Sequence, residues 1–141
     1  MDKVVLEDDH FCFACGSQNK EGLNVQWVVE GKTTHTTFVA EKKFQGWKGV
    51  VHGGILATLL DEAMTRLAWI VCGGALTAEI TVRYLEPAKV GEKLFVFGEI
   101  VSENKRISQM VSYISRGGQD GPVVARATGK AVRVGKRSSG N

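Results

Sequence analysis

The chain has 141 residues, enough for one domain with its own core and no need of disulfide or metal staples. Hydrophobic residues make up 43% and charged residues 23%, with a formal net charge of +3; this mild basicity suits an anionic ligand such as a nucleotide phosphate and is too weak to argue for nucleic acid. No run reaches the roughly 18 apolar residues of a membrane span, and acidic Glu7, Asp8 and Asp9 fall where a signal peptide needs an apolar stretch, so a cytoplasmic protein with no membrane partner is expected.

Residues 1–20 read as a lead-in. Within it Cys12-Phe13-Ala14-Cys15 places two thiols at metal-ligand spacing, and His10 offers a third group. A structural zinc wants four ligands and no second pair follows. A thioredoxin-type pair needs a βαβ context that is missing. Apolar packing of the lead-in is the expectation, with reduced thiols at Cys12, Cys15 and Cys72 and no metal or cofactor. From Leu23 to Glu30, Leu23, Val25, Trp27 and Val29 alternate with polar residues, which predicts a strand with one buried face. Thr33 to Ala40 reads as its hairpin partner after Gly31-Lys32.

A glycine-punctuated loop, Phe44 to Gly54, leads into Ile55–Cys72, which holds neither Gly nor Pro and is rich in Leu and Ala. The run predicts a helix of about five turns, ended by Gly73-Gly74. Its apolar residues surround the axis, so burial on most of its surface is expected. Strands follow over Ala78–Tyr84, Glu92–Val101, Ile107–Ser115 and Val123–Val134, joined by turns. The links are hairpin-short, which implies antiparallel pairing. The predicted class is α+β: one antiparallel sheet of five to six strands wrapped around one long central helix, a single domain over 1–141. The small polar tail 135–141 is expected to fray.

Two acids sit in the middle of the helix. Glu62 has Arg66 four residues on, the favourable orientation for an ion pair. Asp61 has no basic residue three or four positions away and lies in a narrow row of small or polar residues, Gly54, Thr58, Asp61 and Thr65. A carboxylate in a greasy helix must find partners or shift its pKa; bonding to a loop backbone and a chemical role explain it equally well on these residues alone. His52-Gly53-Gly54 opens the helix, where backbone N–H groups lack partners and carry the positive dipole end. Glycines there allow close approach of a carbonyl oxygen on which negative charge develops. Asp61 lies roughly 10 Å further along the axis.

The stretch Val51-His52-Gly53-Gly54-Ile55-Leu56-Ala57-Thr58-Leu59-Leu60-Asp61-Glu62-Ala63-Met64 resembles the signature of hotdog-fold thioesterases of the PaaI-like and THEM4-like groups: His-Gly-Gly, then an acid nine residues after the His. Phe11–Gly16 with Glu21-Gly22-Leu23, and Thr77 through Pro87 with Gly91, are similar to flanking segments of those proteins, so the likeness runs over 11–134. The resemblance implies an acyl-CoA thioesterase that is a homodimer with its site at the interface, pairing further into a dimer of dimers. On this chain it assigns the carbonyl-polarising N–H to Gly54 or Gly53, the base or nucleophile to Asp61, loop shaping to His52, and to Thr77 a hydroxyl that holds water, supplied by the other subunit. Several PaaI-like members carry Asn six residues before the His; here Gly46 stands there, with Gln45 beside it as a substitute. Thr58 and Thr65 leave room for substrate beside Asp61, Met64 is expected to line a pocket, and Arg106 and Arg116 are candidates for the phosphates of CoA. Together these point to a medium-to-bulky apolar acyl or aryl group. A hydratase or dehydratase of acyl thioesters with a His base, and a non-catalytic acyl-CoA-binding domain, are the alternatives.

Overall fold

The computed structural model describes residues 5–136. The strands are β1 (Val5–Leu6), β2 (Val28–Glu30), β3 (Thr33–Val39), β4 (Ala75–Tyr84), β5 (Lys93–Glu103), β6 (Ile107–Arg116), β7 (Val123–Arg133) and β8 (Gly135–Lys136). One helix, α1 (Gly53–Cys72), stands between β3 and β4. Six strands form one sheet in the order β2-β3-β5-β6-β7-β4, every pair antiparallel. The predicted class therefore holds, with six strands around the helix.

Leu56, Leu59, Leu60, Ala63, Met64 and Leu67 recur at helical spacing and are buried. They face Leu94, Val96, Met110, Ile114 and Val124 from the sheet, all buried too. The helix lies very close to the central strands. A Cβ on Gly98 would stand 2.5 Å from the Ala63 carbonyl oxygen, so β5 has Gly where the helix backbone rests on it. Beside it the buried Ser112 hydroxyl donates to the Leu60 carbonyl at 3.1 Å. Gly73, at φ 86°, closes the helix in the left-handed region and returns its N–H to the Trp69 carbonyl.

Three expectations are corrected. The strand predicted from Leu23 pairs only over Val28–Glu30. Leu23 and Val25 are buried in alternation as expected, but their N–H groups bond the lead-in, at Phe13 and Ala14, instead of a sheet neighbour. The helix is less enclosed than its composition implies: one face meets the sheet, and Ile70 is 47% exposed. The tail does not fray from 135, since Gly135 and Lys136 pair in parallel with Val5 and Leu6; residues 137–141 lie outside the described residues. No helix among the described residues is long and apolar enough to cross a membrane.

For the site, the strand order matters most. β4 is an edge strand, paired with β7 alone. Its Ala78, Glu79, Thr81, Arg83 and Tyr84 are exposed.

Candidate active site

Asp61 is half-buried on the side of α1 that faces the start of β4. The Thr77 hydroxyl, from β4, donates to Oδ1 of Asp61 at 2.6 Å. The Thr65 hydroxyl, one helical turn on from Asp61, reaches the same oxygen at 3.1 Å and the Thr77 hydroxyl at 2.6 Å. Each hydroxyl has one proton to give, so the trio is either a fork onto Oδ1 or a relay from Thr65 through Thr77. Both arrangements hold the carboxylate plane and leave Oδ2 without a partner among the described residues. The Thr77–Asp61 contact is made within one chain, so the two residues form one unit.

The helix start is built differently. Nδ1 of His52 accepts the Gly54 N–H at 2.8 Å and caps the helix. That bond requires an unprotonated Nδ1, so the imidazole proton sits on Nε2. Ile55 and Leu56 return their N–H groups to the His52 carbonyl. The N–H of Gly53 therefore has no acceptor among the described residues, while that of Gly54 is committed. Of the two glycines named from the sequence, Gly53 is the one with a donor to offer. Tyr84, at the far end of β4, donates its hydroxyl to the Gly53 carbonyl at 2.8 Å, and a Cβ on Gly53 would touch the Tyr84 ring at 3.4 Å. Sequence reasoning missed Tyr84: only the register of β4 against α1 brings it there. A mainly apolar groove of about 870 Å³ opens at this point, lined among others by Trp47, His52, Gly53, Leu56, Tyr84 and Pro87. Asp61 does not line it.

The remaining candidates divide. Gln45 accepts the Gly49 N–H at 3.0 Å through its amide oxygen and holds the preceding loop. Thr58 bonds back to the Gly54 carbonyl at 2.8 Å. Met64 is fully buried against Gly129 of β7 and packs in the core. Arg106 lies exposed in the β5–β6 turn. Arg116 is committed: its guanidinium binds Glu92 at 2.8 Å, Glu86 at 2.9 Å and the Pro87 carbonyl at 2.7 Å. A fork satisfied on three sides is a poor phosphate donor.

Glu62, next to Asp61, points elsewhere. Its expected ion pair with Arg66 is not among those of the described residues. Instead Oε2 accepts the Trp27 indole N–H at 3.3 Å, and Arg66 reaches Sγ of Cys15 at 3.7 Å. Burial raises the Glu62 carboxyl above its ordinary range, opposed by the Cys15 hydrogen bond, the Arg66 charge and the Trp27 donor. Burial, then the Glu62 charge, pushes the Cys15 thiol up as well.

The profile of the thioesterase superfamily matches residues 48–120. Mouse acyl-coenzyme A thioesterase 13 is 31% identical over 62 residues, which is 43% of this chain and 44% of that protein, so the chain spans under half of that relative's length. Among solved structures, a hypothetical thioesterase from Streptococcus pneumoniae TIGR4 with coenzyme A is similar at a TM-score of 0.72 and 26% identity, over 82% of this chain and 89% of that one. A Streptococcus mutans UA159 protein bound to acetyl CoA is similar at 0.71 and 27%, over 82% and 92%. The single helix against a six-stranded antiparallel sheet is the hotdog fold that these proteins share. The profile spans the loop before the helix, the whole of α1 and the strands through β6, more than half of the chain, and the chain accordingly belongs to the thioesterase superfamily.

Proposed function

We propose that the protein hydrolyses an acyl-coenzyme A, or a related acyl thioester, to the free acid and thiol, with Asp61 as the reacting carboxylate. The observation that carries this is the convergence of Thr77 and Thr65 on one oxygen of Asp61. A carboxylate held by two hydroxyls through Oδ1 presents Oδ2 at a fixed angle, as a general base must. In the water route Oδ2 takes a proton from water as its oxygen bonds the carbonyl carbon. The carbonyl electrons move to oxygen, where a backbone N–H stabilises the charge. That charge then reforms the carbonyl, the C–S bond breaks, and the leaving thiolate recovers the proton from Asp61. In the alternative route Asp61 attacks the carbonyl carbon itself, the C–S bond breaks and the thiolate leaves; water then opens the resulting anhydride, restoring the Asp61 carboxylate, releasing the free acid and returning a proton to the thiolate. A thiolate leaves readily, so one carboxylate and one oxyanion donor suffice without a Ser-His-Asp triad. The likeness to relatives named acyl-coenzyme A thioesterase and to structures with coenzyme A or acetyl CoA supports the substrate class.

The donor is the Gly53 N–H, whose spacing from Asp61 has a consequence. Eight residues of helix separate them, about 12 Å, too far for both to meet one thioester group. A second copy, bringing its own helix start to this Asp61, resolves the mismatch. The exposed edge of β4 is the surface for that copy, continuing the sheet from one chain to the next. The proposed assembly is a homodimer, pairing further into a dimer of dimers. The apolar groove beside Gly53 and Trp47 supports a medium-to-bulky apolar acyl or aryl group. The three cysteines are free, which fits a reducing cytoplasm as the location. The role of His52 Nδ1 as a helix cap speaks against a hydratase that needs this His as its base.

The test is hydrolysis of a panel of aryl, short, medium and long acyl-CoAs, followed with a thiol-trapping dye, in the native chain and in Asp61→Asn. The reading expects turnover in the first and nearly none in the second. No turnover of any thioester by the native chain would leave only an acyl-CoA-binding domain.

A further inference from the structure

We propose that Cys12, Cys15 and Glu62 form a zinc site that staples the lead-in to the middle of α1. One ligand atom from each of the three lies within 4.8 Å of the other two. Tetrahedral zinc with bonds of about 2.3 Å to sulfur and about 2.0–2.2 Å to oxygen needs these atoms somewhat closer, within reach of small side-chain rotations.

The backbone around the thiols is already fixed. The Gly16 N–H bonds the Cys12 carbonyl at 2.8 Å, and the Ala14 N–H donates to Sγ of Cys12 at 3.3 Å. A tight turn with an N–H aimed at the first sulfur is what a Cys-x-x-Cys metal loop requires, because such donors favour thiolate over thiol. Gly16 has no room for a side chain: a Cβ would collide with the backbone of Cys12 and His10. A Cβ on Gly22 would collide with Phe13 in the same way. Leu23 and Val25 then clamp the turn from outside through the Phe13 and Ala14 carbonyls, at 2.7 and 2.9 Å. Two sulfurs are thus positioned before any ion arrives, and order that already exists costs nothing on binding.

The third ligand comes from a distant part of the sequence. Glu62 brings a carboxylate to the thiols from α1, with Oε2 oriented by the Trp27 indole. His10, the third group suggested by spacing, does not converge with these ligand atoms; its exposed ring stands 4.0 Å from Asp8. Two thiolates and one carboxylate select a borderline-soft dication; calcium and magnesium want oxygen throughout. Three anionic ligands around a dication leave one negative charge. The Arg66 guanidinium, 3.7 Å from Sγ of Cys15, balances it and donates to a thiolate sulfur. Cys12 is exposed, so the fourth position opens to water. The thiol protons pass to solvent on binding.

The experiment uses the full chain, purified under reducing conditions and stripped with a chelator. Zinc is titrated against a chromophoric competitor, and metal content is measured on freshly purified protein. The expected result is one zinc per chain and a thermal midpoint that rises with zinc. Cys15→Ser and Glu62→Gln should each weaken zinc binding by more than the roughly 10–100-fold typical of losing an outer partner. Cys12→Ser, at the exposed thiol, repeats the test where the other substitutions impair folding. No zinc uptake at micromolar metal would overturn the proposal, as would variants that bind like the native chain. An intact mass two hydrogens lighter, with Cys12 joined to Cys15, would replace the site by a disulfide. None of these readouts depends on thioester hydrolysis, so the staple and the proposed activity stand or fall separately.

Discussion

Asp61 and Glu62 follow one another on α1, about 100° apart around its axis, and each meets a different part of the fold. Asp61 faces the edge of the sheet and is gripped by two hydroxyls, one from its own helix and one from β4. Glu62 faces the two thiols of the lead-in and the Trp27 indole that precedes β2. The same functional group on adjacent residues thus acquires a fixed, partly open oxygen in one case and a half-buried cluster in the other. Helix rotation decides which wall of the protein each acid sees, and the wall decides its chemistry.

The largest expected effect breaks the Asp61 side outright. Asp61→Asn keeps the size and an acceptor for Thr77 and Thr65, and loses only the charge. Loss of a general base typically costs about 10²–10⁴ in rate, so kcat for acyl-CoA hydrolysis should fall by that much while circular dichroism and oligomeric state stay unchanged. Full activity in this variant would remove Asp61 from the reaction.

Next comes Thr77→Val, which retains the β-branched shape that suits β4 and deletes the 2.6 Å bond. Hydrogen bonds to charged groups contribute about 1.5–3 kcal/mol, or roughly 10–150-fold in rate at 1.4 kcal/mol per decade. The loss should appear in kcat, with KM little changed, because Thr77 orients the acid and is not proposed to bind the acyl group. Thr65→Val should cost less. Its bond to Asp61 is longer, and Thr77 remains in place to hold Oδ1. About two- to tenfold is expected from a net contribution near 0.5–1.5 kcal/mol. A Thr65→Val variant as impaired as Thr77→Val would favour the fork, in which each hydroxyl donates to Oδ1 directly, over the relay, in which Thr65 acts only through Thr77.

The sequence carried the fold well, for reasons seen in particular segments. Thr33–Val39 and Lys93–Glu103 are runs of β-formers bounded by turn residues; the first pairs along its full length and the second is broken only at Val101, where its register with β6 shifts. The glycine-free run to Cys72 and the glycines after it marked the helix. Asp61 stood out because nothing near it in the chain could neutralise it. What stayed hidden depends on contacts between residues far apart in sequence. Thr65 was read as room for substrate, although its hydroxyl is turned onto Asp61. Tyr84 gave no signal, since its partner, the Gly53 carbonyl, lies 31 residues away. Met64 looked like a pocket residue because a helical row does not reveal which side the sheet covers. Spacing alone points Glu62 at Arg66, but the segment before β2, folded over the helix, brings the Trp27 indole to it.

The smallest expected effect tests the other half of the comparison without touching either acid. Trp27→Phe removes the indole N–H that orients Glu62 and keeps an aromatic ring against the core. A side-chain hydrogen bond of this kind contributes about 1 kcal/mol net, which corresponds to a thermal midpoint lower by about 2–5 °C in a domain of this size. The rate of thioester hydrolysis should stay within about twofold, since a change of 0.4 kcal/mol in the barrier is all that twofold allows. Trp27 meets Glu62, while Asp61, about 100° away around the axis, is held by Thr65 and Thr77. A small stability loss with unchanged kcat would sharpen the division of α1 into a reactive side and a stapled side. A fall in kcat approaching that of Thr77→Val would mean that a disturbance at Glu62 is transmitted along the helix to Asp61, and the two acids would then have to be treated as one coupled unit.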